Sequence, residues 1–220
     1  MAGSSVVGAK ICGVTRAEDA ALAVAHGAVR VGVVFAGGPR EVSVEVAREI
    51  VAAAGAVPVL AVVRPGPVAA LIELARATGV RGLQLHGKAS DHLAASLRRL
   101  GLEVWRQVAL REGDDVVALV GVGMRHADAI LIEPRAADGG SGGRGLVLDR
   151  EVALVARGAI GPGRMVLAGG LSPESVRAAI RRVQPDLVDV SSGVESAPGI
   201  KDPGRLMRFL EAVRDVRSRD

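Results

Sequence analysis

The groups in this chain that could do chemistry stand where short apolar runs give way to glycine or a polar side chain. They are Lys10-Ile11-Cys12-Gly13, Gly37-Gly38-Pro39-Arg40, Gln84-Leu85-His86-Gly87, Arg106, Glu133, Gly169-Gly170 and Asp189-Val190-Ser191-Ser192-Gly193. Cys12 is the single cysteine. A thiol acts as a base only where nearby positive charge favours the thiolate; otherwise it is a small hydrophobe. Lys10 is close in sequence but is expected on the alternating face of its strand. Arg40 follows a Gly-Gly-Pro turn and could clamp a carboxylate with its two-pronged guanidinium, or be an ordinary surface arginine. His86 could titrate, but a satisfied polar group below the mouth of the fold is the preferred reading. His26, His92 and His126 fall on helical stretches or a linker and read as solvated.

Two of the segments suit an anion. Gly169-Gly170 precedes a helix start, and Ser191-Ser192-Gly193 follows an apolar run. Backbone N–H groups without side chains in the way can converge on a phosphate. One Gly-Gly pair alone would read as a tight turn. Two such loops in adjacent units shift the reading to a phosphate cradle. Gly139-Gly140-Ser141-Gly142-Gly143 could close over the same ligand.

These residues need a frame. Eight Val/Ile/Leu-rich runs read as buried strands: Ala9–Cys12, Arg30–Phe35, Val57–Val63, Gly82–Leu85, Glu103–Ala109, Ala127–Ile132, Met165–Ala168 and Leu187–Val190. Between them lie eight amphipathic segments: Arg16–His26, Ser43–Ala54, Pro67–Thr78, Ser90–Leu100, Asp114–Gly121, Asp149–Arg157, Ser172–Val183 and Pro203–Arg217. Ser172-Pro173-Glu174 and Asp202-Pro203 carry an N-cap followed by proline at the first helical position. Gly27, Gly79 and Gly101 follow helices, as helix-ending glycines do. Continuous apolar strands alternating with helices imply a covered parallel sheet. An open doubly wound sheet is one option. Eight units of about 27 residues favour the other, a closed (β/α)8 (TIM) barrel formed by one domain over residues 1–220. Barrel enzymes place working groups at the C-terminal ends of strands, where all the segments named above fall. The long Gly-rich stretch Glu133–Gly145 would lie on that same face.

Composition removes other classes. Of 220 residues, 49% are hydrophobic, ample for a core, which excludes general disorder. No apolar run is long enough for a membrane span, and Met1–Lys10 has no secretory pattern. One cysteine allows neither an internal disulfide nor a Cys-based zinc site. A cytoplasmic protein is expected. Lys+Arg number 28 against 24 Asp+Glu, but only Lys10, Lys88 and Lys201 are lysines. The basic balance suits an anionic partner. Aromatics amount to 1%, so stacking platforms for nucleic acid are missing, and a small phosphorylated substrate fits better.

Taken in order, the segments resemble the phosphoribosylanthranilate isomerase family. The matching pieces are Lys10-Ile-Cys-Gly13, Leu83-Gln-Leu-His-Gly87, Gly139-Gly-Ser-Gly142, Leu167-Ala-Gly-Gly-Leu171 with Pro173, and Asp189-Val-Ser-Ser-Gly-Val-Glu195 with Pro198-Gly199 and Lys201-Asp202. The resemblance implies a (β/α)8 barrel in tryptophan biosynthesis, acting at the third step from chorismate. The implied reaction is an Amadori rearrangement of N-(5'-phosphoribosyl)anthranilate to 1-(2-carboxyphenylamino)-1-deoxyribulose 5-phosphate, without metal or other cofactor. It implies that Cys12 is the base and that Arg40 holds the anthranilate carboxylate. Gly170, Ser192 and Gly193 with their neighbours Gly169 and Ser191 match the phosphate cradle, above Asp189; His86 and Gly142 match substrate-binding segments. A monomer or homodimer is expected, with no nucleic-acid or membrane partner.

One departure stands out. The family's general acid is an aspartate at the end of the sixth strand, where this chain reads Leu131-Ile132-Glu133. Gly38 replaces a common serine, and Ser175 a common asparagine. Asp128 begins the same strand, too far below to substitute. Glu133 is therefore expected to be the acid, its carboxyl kept protonated by burial under the following loop. Two rival readings remain: a paralogue isomerising a related phosphorylated amino-sugar, and a phosphate-binding barrel without catalysis.

Overall fold

The computed structural model describes residues 7–135 and 146–217. Among them, eight parallel strands close into a barrel in chain order: β1 (Gly8–Ile11), β2 (Arg30–Val34), β3 (Val59–Val63), β4 (Gly82–Leu85), β5 (Glu103–Leu110), β6 (Ala129–Pro134), β7 (Met165–Leu167) and β8 (Leu187–Val190). Eight helices follow them in turn: α1 (Ala17–Ala25), α2 (Val44–Ala54), α3 (Val68–Thr78), α4 (Asp91–Arg99), α5 (Val116–Met124), α6 (Arg150–Ile160), α7 (Val176–Val183) and α8 (Pro203–Arg217). The single-domain (β/α)8 barrel expected from the eight units is thus borne out. The open-sheet option falls because β1 pairs on both sides: Lys10 lies opposite Arg30 of β2 and Asp189 of β8.

Sequence chemistry accounts for the elements. All five residues of β3 are buried, as a strand covered on both faces requires. Ser43, Ser90, Asp115 and Asp149 each accept a backbone N–H at a helix start. Asp202 does the same, its Oδ1 accepting from Arg205 N at 2.7 Å. The seventh helix departs from expectation. Ser172 Oγ accepts from the N–H groups of Glu174 and Ser175, both at 3.3 Å. That cap closes a separate turn, and regular helix begins only at Val176. A single 3-10 turn (Ser192–Val194) and a short hairpin, β9 (Glu195–Ala197) with β10 (Ile200–Lys201), were not expected.

Side chains alternate across the barrel wall. Outward residues pack under the helices, while Leu60, Trp105, Ala129, Leu131, Val166, Ala168 and Leu187 fill the inside. Lys10 is also inside and fully buried. Its Nζ donates to Gln84 Oε1 and to Asp189 Oδ1, each at 2.9 Å, and sits 5.6 Å from the Trp105 ring centroid. Burial pushes this ammonium toward neutrality, but the Asp189 carboxylate outweighs it and holds Lys10 above its ordinary pKa. Removing one member of such a pair typically costs about 3–5 kcal/mol, because the other charge is left stranded. The ion pair is the floor on which the mouth of the barrel is built. No helix among the described residues is long and apolar enough to cross a membrane.

Candidate active site

At the C-terminal ends of the strands lies a cavity of about 440 Å³. Its walls include Cys12, Arg40, Arg64, His86, Glu133, Gly169, Gly170, Asp189, Ser191, Ser192 and Gly193. One enclosure therefore brings together Cys12, Arg40, His86, Glu133, Asp189 and both glycine loops, while Lys10 and Arg106 do not line it. Gly142, the Gly139–Gly143 run and Asp138, the next carboxyl in sequence after Glu133 and so its rival as the acid, lie outside the described residues.

Cys12 follows β1 and points inward, 8% exposed. The expectation that Lys10 faces the other way is corrected. Residues two apart on a strand share a face, and Gly32 on the neighbouring strand leaves room for both. A Cβ on Gly32 would stand 2.9 Å from Cys12 Sγ and 3.0 Å from Lys10 Nζ. Burial pushes the Cys12 thiol up; Lys10 and Lys201 pull it back down, and Asp189 adds to the rise, so the net direction is upward. Below Cys12, Lys201 is buried, and its Nζ donates to the Cys12 carbonyl at 2.6 Å and to Glu195 Oε1 at 2.7 Å. The short hairpin thereby anchors the end of β1.

Glu133 is the penultimate residue of β6, 6% exposed and turned into the cavity. Gln107 on β5 holds it: Gln107 Nε2 donates to Glu133 Oε1, and Gln107 Oε1 accepts from Gly87 N at 2.7 Å. Asp128 sits below β6, its two oxygens taken by Arg98 Nε at 2.9 Å and Val104 N at 2.8 Å. It is a structural residue. Arg106, the candidate carried by β5, is not in the cavity. Its neighbours Trp105 and Gln107 point in, so period two points it out, where it binds Asp91 at 2.8 Å and the carbonyls of Ala89 and Arg125.

Arg40 lines the cavity but is already engaged. Its Nε and Nη2 donate to the two oxygens of Glu195 at 2.9 and 2.7 Å. Hydrogen bonding to that carboxylate raises the guanidinium further above its ordinary pKa. Glu195 in turn is opposed by burial, yet Arg40 and Lys201 hold its carboxyl below the usual range. The bidentate pair fixes the arginine plane at the mouth. His86 is half-buried, and burial, followed by the charge of Arg64, pushes its imidazole down, so it is neutral near pH 7.

The strand-seven and strand-eight loops meet backbone to backbone. A Cβ on Gly193 would lie 1.9 Å from the Leu171 carbonyl oxygen, and one on Gly169 would lie 2.1 Å from Pro134 Cδ. Gly169 and Gly170 adopt φ of 96° and 60°, which favour glycine. The tight-turn reading holds for Gly169 and Gly170, and the turns bring the two loops into contact around one side of the cavity.

Residue patterns left several contributors unread. Gln107 follows from period two counted from Trp105. Arg64 stands at the end of β3 and follows from the strand-end rule applied to that strand. Glu195 and Lys201 carried no local signal of their pairing. His26, His92 and His126 are not among the cavity residues.

A parallel barrel whose strand-end cavity is lined by a thiol, a carboxyl and two glycine loops has the layout of a barrel enzyme with a small-molecule site. Comparison narrows it. The family model for N-(5'phosphoribosyl)anthranilate (PRA) isomerase matches residues 9–212. An N-(5'-phosphoribosyl)anthranilate isomerase of Pseudomonas fluorescens is 40% identical over 94% of this chain and 96% of its own. Among solved structures, a monomeric form of the dimeric enzyme of Thermotoga maritima superposes with a TM-score of 0.81 at 32% identity, covering 95% of this chain and 99% of that one. A phosphoribosyl anthranilate isomerase in complex with reduced 1-(o-carboxyphenylamino)-1-deoxyribulose 5-phosphate gives 0.82 at 30% identity, with the same coverage. The chain belongs to the phosphoribosylanthranilate isomerase family, and the expected aldose–ketose isomerase of tryptophan biosynthesis is borne out.

Proposed function

We propose a division of labour for the Amadori rearrangement within this cavity. The ring of strands supplies the geometry. Taking the gap between β7 and β8 as one pole, β1 and β6 stand symmetrically on its two sides. A sugar phosphate anchored at that pole would thus lie between Cys12 and Glu133. This placement on opposite flanks is the observation that carries the reading.

Glu133 protonates the furanose ring oxygen, and the ring opens to a Schiff base. Cys12 removes the proton from C2′, giving an enolamine that tautomerises to the ketone. Acid and base must face opposite sides of the sugar for this sequence. Gln107 holds the acid, and Lys10 favours the thiolate form of the base. Gly169, Gly170, Ser191, Ser192 and Gly193 hold the phosphate, with Asp189 beneath; Gly142 belongs to the same substrate-binding set. Arg40, oriented by Glu195, takes the anthranilate carboxylate, with His86 bordering the ring. The partner is a small phosphorylated substrate rather than nucleic acid or membrane. Residues 1–220 act as one domain, as a monomer or homodimer, in the cytoplasm.

The test is loss of substrate fluorescence on adding purified protein. Turnover by the parent and its collapse in Cys12→Ser and Glu133→Gln support the assignment. Full activity in either variant contradicts it.

A further inference from the structure

The substrate carries anions at its two ends: a phosphate on C5′ and a carboxylate on the aromatic ring at C1′. If the phosphate occupies the β7–β8 pole, the far end of the molecule reaches toward β3 and β4, four strands away around a ring of eight and therefore opposite. Arg64 and His86 stand at the ends of those two strands and line the same cavity.

Arg40 covers this far pole poorly. Two of its three guanidinium nitrogens are already bound to Glu195, a carboxylate that also holds Lys201. Its stem also leans toward the cradle side. A Cβ on Gly13 would lie 2.5 Å from Arg40 Cδ and 2.9 Å from Ser191 Oγ, which brings the arginine close to the strand-eight loop. Arg64 is the reverse case. Its Nε donates to the Ala36 carbonyl at 2.9 Å, which fixes the head of the side chain over the β2 end. Among the described residues no carboxylate lies within ion-pair distance of it, so within that set its positive charge has no ion-pair partner. The neighbouring His86 is neutral and adds no competing charge.

We propose that Arg64 is a specificity-determining residue of this isomerase, its guanidinium taking the aromatic carboxylate at the pole opposite the phosphate cradle and sharing it with Arg40. The proposal rests on the assigned reaction and adds to it the residue that distinguishes an anthranilate from an unsubstituted aniline. A charged hydrogen bond of this kind corresponds to a loss of roughly 10- to 100-fold in affinity when removed. Arg64 is exposed and anchored only to a loop carbonyl, so its replacement leaves the barrel core intact.

The experiment uses two inhibitors: reduced 1-(o-carboxyphenylamino)-1-deoxyribulose 5-phosphate and the same compound built on aniline, which lacks the carboxylate. Arg64→Gln should weaken the first by roughly 10-fold or more and leave the second unchanged. Arg64→Lys should recover part of the loss. In turnover, Arg64→Gln should raise KM with kcat largely kept. Equal weakening of both inhibitors, or no weakening of the first, overturns the proposal. Turnover by the parent reports separately on the reaction itself, so failure of that reading is visible without the Arg64 variants.

Discussion

The β7–β8 side of the cavity and the two flanks that carry Cys12 and Glu133 are built by different means. At β7 and β8, loop backbones touch: Gly193 has no room for a Cβ beside the Leu171 carbonyl. The contact there is set by backbone shape rather than by side-chain charge. At β1 and β6 the working groups are side chains on rigid strands. Each is held by a neighbouring polar side chain. Gln107 grips Glu133, and Lys201 grips the carbonyl of Cys12. The difference teaches that the cradle should tolerate changes of charge and resist changes of bulk, while the flanks should do the opposite.

The largest expected effect breaks a flank and spares the cradle. Cys12→Ser should lower kcat by ~10²–10⁴-fold, the usual range for a lost general base, with affinity for the product analogue nearly unchanged. Equal losses in rate and affinity would show that Cys12 only packs. Next comes the reverse experiment. Gly193→Val should weaken every phosphate-bearing ligand together, with or without an aromatic ring, because the added side chain must displace backbone. Titration calorimetry with ribose 5-phosphate and with the product analogue checks this. A loss confined to the aromatic ligand would move the phosphate elsewhere.

A smaller effect sharpens the role of the grip. Gln107→Leu should lower kcat more than it changes KM, by up to ~10²-fold if the Glu133 carboxyl shifts by about 1 Å. Unchanged kcat would mean that Glu133 holds its place without β5. The smallest effect concerns pH. Because burial raises the Cys12 pKa, less thiolate exists near pH 7 than for an ordinary thiol. Its alkylation by iodoacetamide should keep accelerating at pH values above the normal thiol range, and bound product analogue should protect it. Lys10→Met removes a charge that pulls this pKa down, so the rise should move further alkaline. A shift toward acid would contradict the electrostatic account. The same variant strands Asp189 and should cost about 3–5 kcal/mol of stability, read from its melting temperature.

How far the sequence could be read depended on the physics behind each feature. The barrel was legible because eight apolar runs alternate with eight amphipathic helices, five of them with a side-chain cap, a pattern that local chemistry sets residue by residue. The two glycine loops at the ends of β7 and β8 were legible because glycine marks positions where backbone turns sharply or approaches closely. Side-chain partners were harder. Lys10 was expected on the wrong face, and Arg106 was considered where Gln107 stands; a strict period-two count corrects both. The Arg40–Glu195–Lys201 cluster joins residues 155 apart in sequence at its widest measured contact, the Arg40–Glu195 bond. No local pattern encodes such a pairing. The hairpin Glu195–Ala197 with Ile200–Lys201 escaped for the same reason: its strands are too short to show periodicity.

The central claim is that the carboxyl at the end of β6 supplies the proton, although it is one methylene longer than the family's aspartate. The direct measurement is the rate of substrate fluorescence loss for Glu133→Gln beside Asp138→Asn and Glu133→Asp. Glutamine keeps size and hydrogen bonding but cannot act as an acid. The account predicts a fall of ~10²–10⁴-fold for Glu133→Gln, near-parental rates for Asp138→Asn, and substantial activity for Glu133→Asp. Parental activity in Glu133→Gln together with an inactive Asp138→Asn would place the acid on the following loop and contradict the assignment.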